Sequence, residues 1–121
     1  MALEIKTLEA TDSSLKLALQ GSLDSETYPT LEETLQSQMG PETELVAFDL
    51  KELSFISSAG LRVFFATVKK LKARGGKVAV SNMQPGVKKV FEIVKALPDL
   101  SVFASVSELD DYLANFQRKA E

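Results

Sequence analysis

The chain has 121 residues, 45% of them hydrophobic and 26% charged, which is the balance of one compact globular domain spanning residues 1–121. Its net charge of −3 gives no general basic field to recruit nucleic acid or acidic lipid. It has no cysteine and no histidine, which excludes thiol nucleophiles, disulfides, the usual zinc sites and imidazole acid–base chemistry; no metal or cofactor is expected.

Near the start, Glu4 places a charge where a signal peptide would need an apolar run. The longest apolar stretch, Val63 to Ala66, falls far short of the ~20 residues that span a bilayer, so a cytoplasmic protein without membrane insertion is expected. Leu3 and Ile5 suggest a short first strand, and Thr11 to Ser14 reads as a turn. Leu15, Leu17 and Leu19 alternate with Lys16, Ala18 and Gln20, which is a half-buried strand pairing antiparallel with the first. After Gly21-Ser22-Leu23-Asp24 the period lengthens: Tyr28, Leu31 and Leu35 share one helical face, with Pro29 in the first turn and Gly40-Pro41 as the stop. Leu45 to Leu50 is nearly continuous in apolar residues, as in a strand covered on both faces.

A second helix is expected from Ser58 to Arg74, with Leu61, Phe64, Phe65, Val68 and Leu71 at offsets of three and four. The basic run from Lys69 to Arg74 complements the negative end of that helix and reads as a solvated terminus. Gly75-Gly76 stops it, and Lys77 to Val80 returns as a strand. Asn82 to Gly86 leads into a third helix carrying Val87, Val90, Phe91, Val94 and Leu97, which Pro98 ends. Leu100 to Phe103 forms a short strand. Ser107-Glu108-Leu109-Asp110 is a capping box for a fourth helix with Leu109, Tyr112, Leu113 and Phe116 inward. The resulting order, β-β-α-β-α-β-α-β-α, implies an α/β fold with a mainly parallel central sheet, an antiparallel N-terminal pairing and about four helices. Phe64, Phe65 and Phe91 read as core.

Parallel sheets gather function at the carboxyl ends of their strands. Three segments should meet there, 21–25, 54–60 and 81–86, bringing Asp24, Ser54, Ser57, Ser58, Ser81 and Asn82. That set places no suitable base beside a nucleophile, and no glycine-rich phosphate loop follows a strand, so an enzyme is not expected. Asp49 near a strand end suggests a phospho-accepting receiver, but no acidic pair follows the first strand and no lysine follows the last. It reads instead as a carboxylate bonded to a neighbouring loop. Ser57-Ser58-Ala59-Gly60-Leu61 is the most informative stretch. Two hydroxyls stand at a helix start, beside free backbone N–H groups and the positive end of the dipole. Either residue can cap the helix, and a phosphate placed there would meet ready donors.

Taken in order and spacing, several landmarks resemble a STAS domain of the bacterial anti-sigma factor antagonist type over roughly residues 3–116. They are Gly21-Ser22-Leu23-Asp24, Phe48-Asp49-Leu50, Leu53 through Leu61, Gly75-Gly76-Lys77-Val78, and Asn82 through Val87. In that family the loop before the second helix typically reads Asp-Ser-Ser/Thr-Gly-Leu, and a partner kinase phosphorylates its first serine. The resemblance therefore implies that Ser58 is the phosphoacceptor, with Ser57 as fallback, Gly60 as the turn glycine and Leu61 as the first buried helical residue. Ser57 replaces the usual aspartate, and Ala59 stands where a second hydroxyl is common. The implied partner surface comprises Asp24, Ser57, Ser58, Ala59 and Gly60, although Asp24 equally suits an N-cap or turn. The implied partner is an anti-sigma factor that is also a serine kinase of the histidine-kinase-like ATPase type, with a serine phosphatase as a second one. A constitutive scaffold or transport-accessory subunit, with Ser58 only a helix cap, is the alternative; a small-molecule sensor is a third reading without specific residues.

Overall fold

The structure, a computed structural model, describes residues 2–94 and 100–103. Its elements are β1 (Leu3–Ala10), β2 (Ser14–Leu23), α1 (Tyr28–Gln38), β3 (Leu45–Ile56), α2 (Ser58–Lys72), β4 (Lys77–Ser81), α3 (Pro85–Val94) and β5 (Leu100–Phe103). The five strands lie side by side in chain order. β1 is antiparallel to β2, while β2, β3, β4 and β5 run parallel. The expected fourth helix, and Leu97 and Pro98 after the third, lie outside the described residues.

Strands that follow one another across the sheet need crossovers that all step the same way. Right-handed connections then set their helices on one face. The register shows which side chains point there: Leu15 stands beside Val46 and Val78, and Leu17 beside Phe48 and Val80. These residues are buried together with Leu31 and Leu35 of α1, Leu61, Val63, Phe64 and Leu71 of α2, and Val87 of α3. Phe64 is the hinge of this layer, edge-on to Phe48 at 4.6 Å between centroids and to Phe91 at 5.6 Å. Phe65 packs at the margin of the same cluster. The opposite face carries the intervening residues, of which Ala47, Ala79 and Ser81 are also buried.

Two boundaries differ from expectation in a way that matters for function. β3 does not end at Leu50 but continues to Ile56, and β2 extends through Gly21 to Leu23 beside it. The extension lacks strand periodicity because two register shifts interrupt it, between Ala18 and Gln20 and between Gly21 and Ser22. Gly21 holds φ at +103°, and a Cβ there would lie 2.2 Å from the Ala2 carbonyl oxygen; only glycine permits both the bulge and that approach. Ser54, expected in a loop, is therefore a strand residue, and its Oγ donates to the Gly21 carbonyl at 2.9 Å.

The ends of α2 follow their sequence signals. At the carboxyl end Gly75 is left-handed (φ +77°), and the Gly76 N–H returns to the Leu71 carbonyl at 2.7 Å, closing a Schellman-type stop. Lys69, Lys70 and Lys72 lie in the last turn, as the dipole favours. Arg74, just beyond, donates through Nη1 to the carbonyls of Gly40 (2.8 Å) and Thr43 (3.2 Å), so it clamps the α1–β3 turn and is not simply solvated.

Candidate functional site

β2 and β3 end in register, Leu23 beside Ile56, and the chain leaves both at the same edge. The first residues beyond are Asp24 and Ser57, and the Ser57 N–H donates to the Leu23 carbonyl at 2.9 Å, tying the two exits together. Gly60 completes the joint. A Cβ on it would lie 2.7 Å from Leu23 Cγ, 3.0 Å from the Leu23 carbonyl oxygen and 3.1 Å from Ile56 Cγ1. The glycine lets the start of α2 press directly onto both strand ends, with Leu61 buried behind it.

The two serines divide the roles that the sequence left open. Ser57 is the N-cap, in extended conformation, and its Oγ accepts from the Gly60 N–H at 3.3 Å. It replaces the capping function of an aspartate without the charge. Ser58 is the first helical residue and is exposed; its hydroxyl makes no hydrogen bond with a described residue. Ala59 is half-buried and Gly60 is buried.

Asp24 forms a turn of its own. Its Oδ1 accepts from the Glu26 N–H at 2.9 Å and the Thr27 N–H at 3.1 Å, while its own N–H donates to Thr27 Oγ1 at 2.9 Å. The Thr27 hydroxyl lies 2.8 Å from the Ser22 carbonyl and 3.2 Å from Asp24 Oδ1. The carboxyl is held below the usual range, first by the Glu26 amide; burial opposes this, and the Thr27 amide and hydroxyl reinforce it. Asp24 is thus a fixed negative charge at the edge where Ser57 and Ser58 emerge. The N-cap of α1 itself is Thr27, without a side-chain cap bond, so Asp24 orders the turn before the helix and does not cap it.

The third segment does not join this group. β4 pairs with β3 only as far as Asp49 beside Ser81, so β3 continues for seven more residues past the level where β4 ends. Asn82, with φ at +58°, donates through Nδ2 to Asp49 Oδ1 at 3.2 Å, and Gln84 Nε2 donates to the Lys51 carbonyl at 2.8 Å. Asp49 also accepts from the Lys51 N–H at 3.0 Å. It lies inside the extended strand, yet its carboxylate is bonded to the next loop, as expected. Ser81 is buried, with Oγ 3.5 Å from the Phe48 carbonyl.

Phe55, near the end of β3, is an exposed residue to which the sequence reading gave no role. It is 50% exposed, one residue before buried Ile56. Alternation could not have found it: Leu53, two residues earlier, is buried, and the register shift between Gly21 and Ser22 breaks the period before Phe55. Large exposed aromatics beside a polar loop are typical anchors of protein contacts. The strand ends thus carry the exposed Ser58, the carboxylate of Asp24 fixed in its turn, and the exposed ring of Phe55.

Comparison with known proteins identifies the family and the fold. The model of the STAS domain matches residues 5–109, and the chain belongs to that family. Its relatives include BtrV of Bordetella bronchiseptica, a candidate anti-sigma factor antagonist that is 37% identical over 87 residues, covering 72% of this chain and 75% of that one. The anti-sigma-B factor antagonist of Bacillus subtilis is 26% identical over 103 residues, covering 84% and 91%. The anti-sigma factor antagonist SpoIIAA in its unphosphorylated form has the same fold, with a TM-score of 0.69 at 20% identity over 92% of this chain and 98% of that one. These relatives are regulators by name. Among the described residues, no helix is long and apolar enough to cross a membrane.

Proposed function

We propose that this protein antagonises an anti-sigma factor by docking the surface around Asp24, Ser57, Ser58, Ala59 and Gly60 onto it, and that phosphorylation of Ser58 switches the docking off. The observation that carries the reading is the division of labour at the start of α2: Ser57 is engaged as the cap, while the Ser58 hydroxyl is exposed and unbonded among the described residues. The names of the relatives, anti-sigma factor antagonists, support the class of partner.

In this reading the partner is an anti-sigma factor that is also a serine kinase of the histidine-kinase-like ATPase type. Transfer forms a bond from Ser58 Oγ to the γ-phosphorus of ATP as the bond to the ADP oxygen breaks, and the hydroxyl proton passes to a base on the kinase. A serine phosphatase reverses the change by delivering the phosphoryl group to water. The phosphate adds a charge of about −1.5 to −2 beside the existing carboxylate of Asp24. Desolvating that charge against a partner face that offers it no cation costs several kcal/mol, which is enough to release the partner. Unmodified protein binds the anti-sigma factor and frees its sigma factor; modified protein does not.

The test is affinity capture from native lysate with wild type, Ser58→Ala and Ser58→Glu in parallel. Wild type and Ser58→Ala should recover a kinase-like ATPase, and Ser58→Glu should bind it at least ~100-fold more weakly, the equivalent of about 2.7 kcal/mol. Equal retention by Ser58→Ala and Ser58→Glu would reject the charge switch and leave a constitutive scaffold.

A further inference from the structure

Arg62 lies on α2 four residues after Ser58, and both side chains are exposed. Residues at this spacing are neighbours on the helix surface, with Cβ atoms about 5–6 Å apart. Arg62 forms no ion pair with any described residue, and the first turn of α2 contains no acidic residue to compete for it. The next cation along α2 is Lys69, eleven residues beyond Ser58, or about 16 Å along the axis and out of reach. On β3, Lys51 lies five residues before the strand end at Ile56, again about 16 Å away in extended chain. The charged residues on the turn that follows β2 are both negative, Asp24 and Glu26.

We propose that Arg62 is the internal counter-ion of a phosphate on Ser58, clamping it against the surface of α2. The inference rests on Ser58 as the phosphoacceptor and adds what that reading lacks, a residue that favours Ser58 over its neighbour. An offset of four residues turns the helix by about 40° beyond a full revolution, which places Arg62 on the Ser58 side of the helix, whereas Ser57 precedes the helix in extended conformation and lacks that spacing. A phosphate on Ser57 would also forfeit the cap bond to the Gly60 N–H. The guanidinium fork matches a phosphate dianion in shape and charge, which lysine does not reproduce. The clamp favours the dianion over the monoanion and opposes the effect of the Asp24 carboxylate.

The experiment uses the full chain with phosphoserine installed at position 58 during synthesis, so no kinase is required. Phosphorus NMR then follows the second phosphate ionisation between pH 4 and 8 in the wild-type background, in Arg62→Gln and in Arg62→Lys. Arg62→Gln should raise the midpoint by about 0.3 pH unit at low salt, Arg62→Lys by less, and the difference should shrink in 1 M salt. With phosphoserine at position 57, Arg62→Gln should leave the midpoint unchanged. Identical titrations of the wild-type background and Arg62→Gln at position 58, or equal shifts at both positions, would overturn the clamp. Absence of a kinase partner in the capture experiment would reject the switch without affecting this titration, so the two failures are distinguishable.

Discussion

Gly60 shows how one missing methyl group decides a site. In an open helix, alanine is better than glycine by about 1 kcal/mol. Here the added Cβ would meet Leu23 Cγ at 2.7 Å, and Leu23 is fully buried and unable to retreat. Overpacking a filled core costs roughly 1–3 kcal/mol, so the clash outweighs the propensity gain. Gly60→Ala should therefore lower stability by about 1–2 kcal/mol in urea unfolding, and an unchanged or higher midpoint would mean that the joint is looser than it looks. Asp24 carries the second prediction at this scale. Its carboxyl is depressed in the folded state, so the stability it contributes is fully present above the unfolded value near 4 and is lost as pH falls through the lower folded value. Between about pH 5 and 3, the thermal midpoint of wild type should fall more steeply than that of Asp24→Asn. Parallel curves would remove Asp24 as a source of acid sensitivity.

At the scale of elements, the helix layer and the sheet meet through Phe64, which touches Phe48 of β3 and Phe91 of α3 edge-on. Phe48 and Phe64 are both fully buried, so Phe48→Ala or Phe64→Ala should each cost about 3–5 kcal/mol. Ring geometry adds a term beyond area, so the double mutant should be less destabilised than the sum of the singles, by about 1 kcal/mol. Strict additivity in a denaturation cycle would show that the edge-on contact contributes nothing of its own. Most of this layer was legible in the sequence. The 3.6-residue spacing of Leu61, Phe64, Val68 and Leu71 predicts the α2 face, and the continuous run from Leu45 to Leu50 predicts a buried strand. The remainder of β3 was not legible. From Lys51 to Ile56 only Leu53 and Ile56 are buried, a spacing of three that matches no strand template.

At the scale of the whole molecule, the site stands apart from the core that sustains the fold. Ser58 is exposed at the carboxyl edge of the sheet and its hydroxyl bonds to no described residue, so a substitution there leaves the aromatic layer undisturbed. Ser58→Ala and Ser58→Glu should accordingly unfold within ~0.5 kcal/mol of wild type while differing ~100-fold in partner binding. A large stability loss in Ser58→Glu would turn the expected switch into local unfolding. The strand order explains why the site has two walls and not three. β4 stops beside Asp49, and the Asn82 loop is tied down there, so of the strands β2, β3 and β4 it is β2 and β3 that reach the edge where Ser57 and Ser58 emerge.

By itself the sequence determined what depends on local order and composition: the alternation of strands and helices, the caps and stops of α2, and the absence of thiol and imidazole chemistry. It also brought Ser57-Ser58-Ala59-Gly60-Leu61 forward, because two hydroxyls at a helix start stand beside free backbone N–H groups, while leaving open which of them caps the helix. Only the tertiary structure decided which serine caps and which is accessible, how far β2 and β3 run together, and which loops share an edge. Those outcomes rest on non-local pairing. The Leu23 carbonyl must lie opposite the Ser57 N–H, 34 positions away in the chain, before Gly60 has anything to press against. Hydrophobic periodicity reports which face of an element is buried, but it carries no information on where a neighbouring strand ends.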